Sequence, residues 1–319
     1  MEVFKLTLNQ MLVMFILIAV GFLLRKGKVV PKDSALTLSR LETYLFTPAL
    51  NLSSMMANCS VQNFKDNAML IVYGGILIGS AILLSYPLSK LFVKGKDLDA
   101  KSFYQRNIFR YALAFSNYGY VGNFLILSIW GSELLFKFQM LTFFSSVASA
   151  SWGLCVLIPK DQNRHHPAKN LLTPPMIALV IGIILGLLDV QKHTPAFVLT
   201  ALSNASSCMG PVAMVLAGVV IADYNIKDLI NNKKVYAVSA FRLILIPSLL
   251  MIILGLLGTN KEIMTLVLIL FAGPIGLNTI VYPSAFGGDV KTGASMTMVS
   301  HTLVMLTIPL MYLLWIVVL

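Results

Sequence analysis

The chain has 319 residues, of which 57% are hydrophobic and only 12% charged. Soluble domains are about a quarter charged, so a water-covered globule of this size is excluded and lipid must cover much of the surface. The net charge of +11 would suit nucleic acid in a soluble protein, but no clustered basic and aromatic face exists. The lipid bilayer is therefore the expected partner, with no nucleic acid.

A transmembrane helix takes about 20 mostly apolar residues. Ten such segments can be drawn, at roughly 8–24, 38–57, 68–92, 107–130, 134–158, 171–188, 195–222, 234–257, 263–286 and 293–318. The first is followed by Arg25, Lys26 and Lys28, the reverse of a signal peptide's charge order, and is read as a retained helix. Basic residues then recur in alternate loops, including Lys90, Lys94 and Lys101 after the third segment, Lys160, Arg164 and Lys169 after the fifth, Lys227, Lys233 and Lys234 after the seventh, and Lys291 after the ninth. By the positive-inside rule these loops are cytoplasmic and both termini lie outside. A cell membrane is the expected location, taken as the bacterial inner membrane.

Landmarks repeat between the halves. Pro48 corresponds to Pro211, Pro87 to Pro247 and Asn117 to Asn278, each about 160 residues apart. Five segments per half would insert the second half upside down, a construction common in secondary transporters. The expected fold is all-α, with ten transmembrane helices as two inverted five-helix repeats, residues 1–158 and 171–319, joined by a cytoplasmic loop at 159–170.

Two segments carry helix-breaking residues. The fourth contains Ser116, Asn117, Tyr118, Gly119, Tyr120, Val121, Gly122 and Asn123; the ninth contains Gly273, Pro274, Ile275, Gly276, Leu277 and Asn278. Both runs lie roughly 10 residues into their spans, about 15 Å deep. Glycine is entropically poor in a helix and proline removes a hydrogen bond, and non-helical backbone at that depth survives only where protein or water covers it. Two half-helix N-termini facing one point would supply bare N–H groups and partial positive charge for an anion. The candidate substrate-binding residues are Asn117, Tyr118, Gly119, Gly122, Asn123, Gly273, Pro274, Gly276 and Asn278. The competing reading is that the glycines merely allow close helix packing.

Other polar groups also carry more than one reading. His301, about 9 residues into the tenth segment, either couples transport to protons or is a buried neutral ring bonded to a backbone carbonyl. Arg242, deep in the eighth, either attracts an anion or pairs with a carboxylate, or snorkels. Glu42 beside Arg40 either carries a proton or sits in an interfacial ion pair, and the ion pair is the reading expected. Cys59, Cys155 and Cys208 lie far apart without CxxC or His–Cys spacing, so neither a metal site nor a disulfide framework is expected. No cofactor is expected, and whether H+ or Na+ is coupled is not legible.

Several short motifs occur in a specific order: Leu45-Phe46-Thr47-Pro48-Ala49-Leu50, Phe115 through Gly122, Pro174-Pro175, Gly210-Pro211, Arg242 with Pro247, and the stretch from Gly273 to Gly288. In these the chain resembles the auxin efflux carrier family, which includes plant PIN carriers and bacterial malate and malonate permeases. The resemblance implies a fold similar to that of bile-acid sodium symporters. Segments one, two, six and seven would form a scaffold, the other six a transport domain. It also implies a homodimer and elevator-type alternating access for a small organic anion, with segments four and nine crossing at the substrate. Phe124 stands where the family usually has a proline. The rival readings are a sensor or channel without coupled transport and, further off, a membrane-embedded enzyme. No HExxH, G-x-S-x-G or Walker A sequence supports the last, and the run from Gly287 to Gly293 has the wrong spacing for a P-loop.

Overall fold

A computed structural model of the chain describes residues 2–95, 97–159, 172–285 and 288–318. Apart from Pro159, the connecting loop expected at 159–170 lies outside the described residues. Those residues are helical throughout, without strands, save one isolated antiparallel bridge between Ser116 and Ile275.

The helices, in order, begin with α1 (Glu2–Lys26) and α2. The latter runs as Ser34–Leu41, a π-helical turn Glu42–Phe46, and Thr47–Asn58. Next come α3 (Val61–Phe92), α4 (Ala100–Ala114), and α5 (Asn123–Leu141), which is preceded by a π-helical turn Tyr118–Gly122. Helix α6 comprises Phe143–Ala148, Ser149–Gly153 and Leu154–Leu157. After it come α7 (Pro174–Leu187), α8 (Ala196–Ala222) and the short α9 (Ile226–Ile230). Helix α10 comprises Lys233–Ala240, the π-turn Phe241–Leu245 and Ile246–Leu256. The chain then forms α11 (Lys261–Ala272), α12 (Asn278–Ala285) and α13 (Val290–Tyr312). Side chains cap the starts: Ser60 accepts from the Asn63 N–H at 3.1 Å, Asp99 from Ser102 at 3.1 Å, and Asn260 from Ile263 at 2.8 Å. Each satisfies one of the donors that a helix start leaves unpaired.

Among the described residues, six helices are long and apolar enough to cross a bilayer: Phe4–Lys26, Val61–Phe92, Tyr118–Leu141, Ala196–Ala222, Lys233–Leu256 and Val290–Val317. Phe143–Leu157 and Pro174–Leu187 are shorter apolar helices. The expected fourth segment is not one helix. It is interrupted after Ala114, and Gly131, at φ 83°, ends it on the other side. That left-handed backbone is open to glycine at no steric cost.

Burial divides the helices into central and peripheral. Of the apolar window of α1 only 22% is buried, against 61% for α8. Leu12, Phe15, Ile16, Val20 and Leu23 of α1 are all exposed, an apolar surface suited to lipid. Helix α1 packs mainly on α8, and α2 on α7 and α8. These contacts are backbone to backbone. A Cβ on Gly218 would strike the Ile18 carbonyl, one on Gly21 would strike that of Val215, and one on Gly186 would lie 2.6 Å from the Met55 carbonyl. Small residues that let backbones approach are how helices associate in lipid, where no hydrophobic drive separates protein from tail.

Polar ties join helix ends that the charge pattern assigns to one side. Arg25 binds Asp223 at 2.7 Å, and Tyr104 donates to the Leu157 carbonyl at 2.5 Å, at the ends read as cytoplasmic. Lys137 binds Glu262 at 2.9 Å, and Lys261 donates to the Ile316 carbonyl at 2.9 Å, at the other end. Gly218→Val should separate α1 from α8. Overpacking costs about 1–3 kcal/mol, so the purified variant should melt several degrees below wild type; an unchanged melting temperature would contradict the close approach.

Candidate functional site

The breaks after α4 and α11 cross each other. At the crossing, Asn117 N–H donates to the Pro274 carbonyl at 2.6 Å, and the Ser116 hydroxyl to the Leu270 carbonyl at 2.5 Å. Ile275 N–H donates to Ser300 Oγ on α13 at 3.0 Å. The approach is close: a Cβ on Gly273 would lie 3.1 Å from Ser116 Cβ, tighter than ordinary contact.

Arg242 holds the other side of the crossing. Its Nη1 donates to the carbonyls of Leu113 and Ala114 at 3.1 and 3.4 Å, and its Nη2 to that of Leu270 at 3.2 Å. The guanidinium thus joins the last turn of α4 to the last turn of α11. It is fully buried, sits 5.2 Å from the Phe271 ring centroid, and forms no ion pair with a carboxylate among the described residues. Carbonyls at helix C-termini carry partial negative charge that favours a cation. The sequence suggested a carboxylate partner, an anion or snorkelling for Arg242; its partners are backbone carbonyls.

His301 also stands behind the crossing. Its Nδ1 lies 2.8 Å from the Thr297 carbonyl and its Nε2 3.2 Å from Asn117 Nδ2. A carbonyl only accepts, so Nδ1 carries the hydrogen. In the neutral ring Nε2 then accepts from the Asn117 amide. The carbonyl-bonded reading of His301 is the one the geometry matches, with the addition that the ring orients Asn117.

In front of the crossing lies a cavity of about 300 Å³. From the first break it is lined by Asn117, Tyr118, Gly119, Tyr120 and Asn123, and from the second by Gly276 and Asn278. Tyr111 of α4, Gln139 of α5, Thr142 between α5 and α6, and Ser146 and Ser149 of α6 complete one wall. Thr43, Thr47 and Asn51 of α2 with Pro175 and Leu179 of α7 form the opposite wall. None of the lining residues is charged. Asn278 Nδ2 donates to Tyr111 OH at 2.9 Å and lies 3.3 Å from Ser149 Oγ; those two hydroxyls are 2.9 Å apart. Asn123 Oδ1 and Gln139 Oε1 are buried without hydrogen-bond partners among the described residues. Polar bridges cross between the walls: Gln139 donates to Asn51 at 3.0 Å, Asn51 donates on to the Pro175 carbonyl at 2.9 Å, and Tyr120 bonds Thr43.

Of the expected site residues, Asn117, Tyr118, Gly119, Asn123, Gly276 and Asn278 are brought to one cavity. Gly122, Gly273 and Pro274 are not part of its lining. Gly122 packs on Phe138, where a Cβ would lie 2.9 Å from the ring, and Gly273 and Pro274 form the crossing itself. Sequence reasoning missed the wall from Thr142, Ser146 and Ser149. Their spacing of four and three residues marks one polar stripe on a helix.

Apolar helices of spanning length, two broken helices crossing and a polar cavity against the crossing define a multi-pass membrane transport protein. The comparisons agree. The family described as "Membrane transport protein" matches residues 6–166 and 159–312, and the chain belongs to it; this is the auxin efflux carrier family of the sequence resemblance. The chain is also similar to an uncharacterized transporter of Methanocaldococcus jannaschii, 22% identical over 312 residues, covering 95% of this chain and 97% of that one. Transport is thus the activity class, and the protein is not an enzyme.

A carbonyl left without its donor in a buried setting costs about 1–3 kcal/mol. Arg242→Ala should therefore lower the melting temperature markedly. Arg242→Lys should restore only part of it, because one ammonium does not reproduce the planar fork. Wild-type stability in Arg242→Ala would remove the clamp from the account.

Proposed function

We propose that the chain is a secondary carrier that binds a small organic anion in the cavity at the crossing. The observation that carries this reading is the chemistry of that cavity. It is free of charged side chains, yet the starts of the Tyr118–Gly122 turn and of α12 border it. Helix N-termini offer N–H groups and partial positive charge to a carboxylate, and the amides of Asn117 and Asn278 add neutral donors. The unpartnered oxygens of Asn123 and Gln139 suit a hydroxyl donor. A carboxylate or dicarboxylate such as malate or malonate, or an auxin-like acid, fits this set, and malate supplies the hydroxyl as well.

In this proposal the chain crosses the membrane ten times as two inverted five-helix repeats. Helices α1, α2, α3, α7, α8, α10 and α13 supply seven of the segments, α4 with residues 118–130 and α11 with α12 the two interrupted ones, and the stretch from Gly131 through α6 the remaining one. The scaffold consists of α1, α2, α7 and α8, whose mutual packing supports the grouping; the remaining helices form the transport domain. The cavity lies between the two groups, so an elevator movement of the transport domain would carry the bound anion past α2 and α7. A homodimer through the scaffold is part of the same reading. So is placement in the bacterial inner membrane with both termini outside.

Malate binding to purified protein, followed by thermal shift, tests the site, since a ligand of the native state raises its stability. Hydrogen bonds to charged groups are worth about 1.5–3 kcal/mol, so Asn117→Ala and Asn278→Ala should each weaken binding on the order of ten- to a hundredfold. Unchanged affinity in both variants would sink the assignment.

A further inference from the structure

Glu42 takes no part in the site as described, and its surroundings differ from those of an interfacial ion pair. It opens the π-helical turn Glu42–Phe46 of α2 and is fully buried. Such turns insert one extra residue into a helix and occur frequently at functional sites. Oε1 has no hydrogen-bond partner among the described residues, and Oε2 meets only Thr47 Oγ1, at 3.5 Å. Arg40, two positions away, is exposed and makes no ion pair with it among the described residues. Residues two apart on a helix do not face each other, which is why sequence adjacency misled.

The helices packed against the turn bring no countercharge. Those with substantial contact are the flanking parts of α2, together with α7 and α8. Arg40 is the one charged residue of the Ser34–Leu41 segment; Thr47–Asn58 and α7 contain none, and α8 contributes only the exposed thiol of Cys208. Across the seam, Tyr120 of the crossing is within electrostatic reach of Glu42 and contributes a phenol. Thr43 and Thr47, on the same turn and just beyond it, line the cavity.

Burying an unpaired carboxylate this way costs far more than burying the neutral acid, whose penalty is that of a polar group and not of a charge. We propose that Glu42 is a proton-binding site of the carrier, occupied while the crossing is packed against it and emptied when the transport domain moves away and water reaches the turn. The proton comes from water on one side and returns to water on the other, with no other bond made or broken. This couples anion movement to proton movement and rests on the carrier reading above.

Two measurements separate the failures. Infrared spectra of purified protein at neutral pH need no substrate: wild type should show a protonated-carboxyl C=O stretch that Glu42→Gln lacks and Glu42→Asp shifts. Identical spectra for wild type and Glu42→Gln would overturn the proposal. In proteoliposomes with radiolabelled malate, Glu42→Gln should keep malate exchange but lose stimulation of uptake by an imposed pH gradient. Retained stimulation would overturn the proposal as well. If wild type moves no malate, the substrate reading fails, while the infrared comparison still decides the proton site.

Discussion

The guanidinium of Arg242, bonded to the carbonyls of Leu113, Ala114 and Leu270, is the interaction on which the crossing depends. A helix that stops inside a membrane leaves its last carbonyls without donors, and lipid offers none. Two helices stopping at one point double the deficit. One buried cation with several coplanar N–H groups addresses both ends at once, assisted by the Ser116 hydroxyl, which also binds Leu270. The negative ends of α4 and α11 therefore face Arg242, and the helical starts at Tyr118 and Asn278 border the cavity. The polarity of the proposed anion site follows from where the cation is placed, although the cation does not line the cavity.

Around this clamp the cavity is organised by neutral hydrogen bonds of two kinds. Within the crossing group they are dense: Asn117 to His301 and on to Thr297, and Asn278 to Tyr111 and Ser149. Across to α2 and α7 they are fewer: the Gln139–Asn51–Pro175 relay, Asn58 to the Ser132 carbonyl, and Tyr120 with Thr43. A body held internally by many bonds and to its neighbour by few is suited to moving as a unit. In the proposed elevator movement these few contacts are the ones that must break, and the Glu42 turn is a buried polar group that the movement would uncover.

How much of this was legible in the sequence depended on whether a residue's role is local. The two breaks were legible, because glycine, proline and asparagine interrupt a helix wherever they sit; Asn117 and Asn278 were accordingly placed at one cavity. Gly122, Gly273 and Pro274 were legible as breakers, with close packing the competing reading for the glycines, but their neighbours were not: only the fold shows Phe138 over Gly122 and the backbone pairing at Pro274. The partners of Arg242 were not legible, because they are carbonyls, which leave no trace in side-chain chemistry. Glu42 was misread because the neighbour in sequence was taken for the neighbour in space. The stripe of Thr142, Ser146 and Ser149 was legible by spacing and overlooked. The family was legible from the order of its motifs across nearly the whole chain.

The central claim is that the cavity at the crossing opens to each side of the membrane in turn. Gly119 lines it and has open space where a Cβ would stand, so a cysteine fits there once Cys59, Cys155 and Cys208 are replaced. Membrane-impermeant thiol reagents applied separately to either face of the bilayer then read out access. Alternating access predicts labelling of Gly119→Cys from both faces, slowed from both by bound malate. Labelling from one face alone, or no protection by any carboxylate, would contradict it.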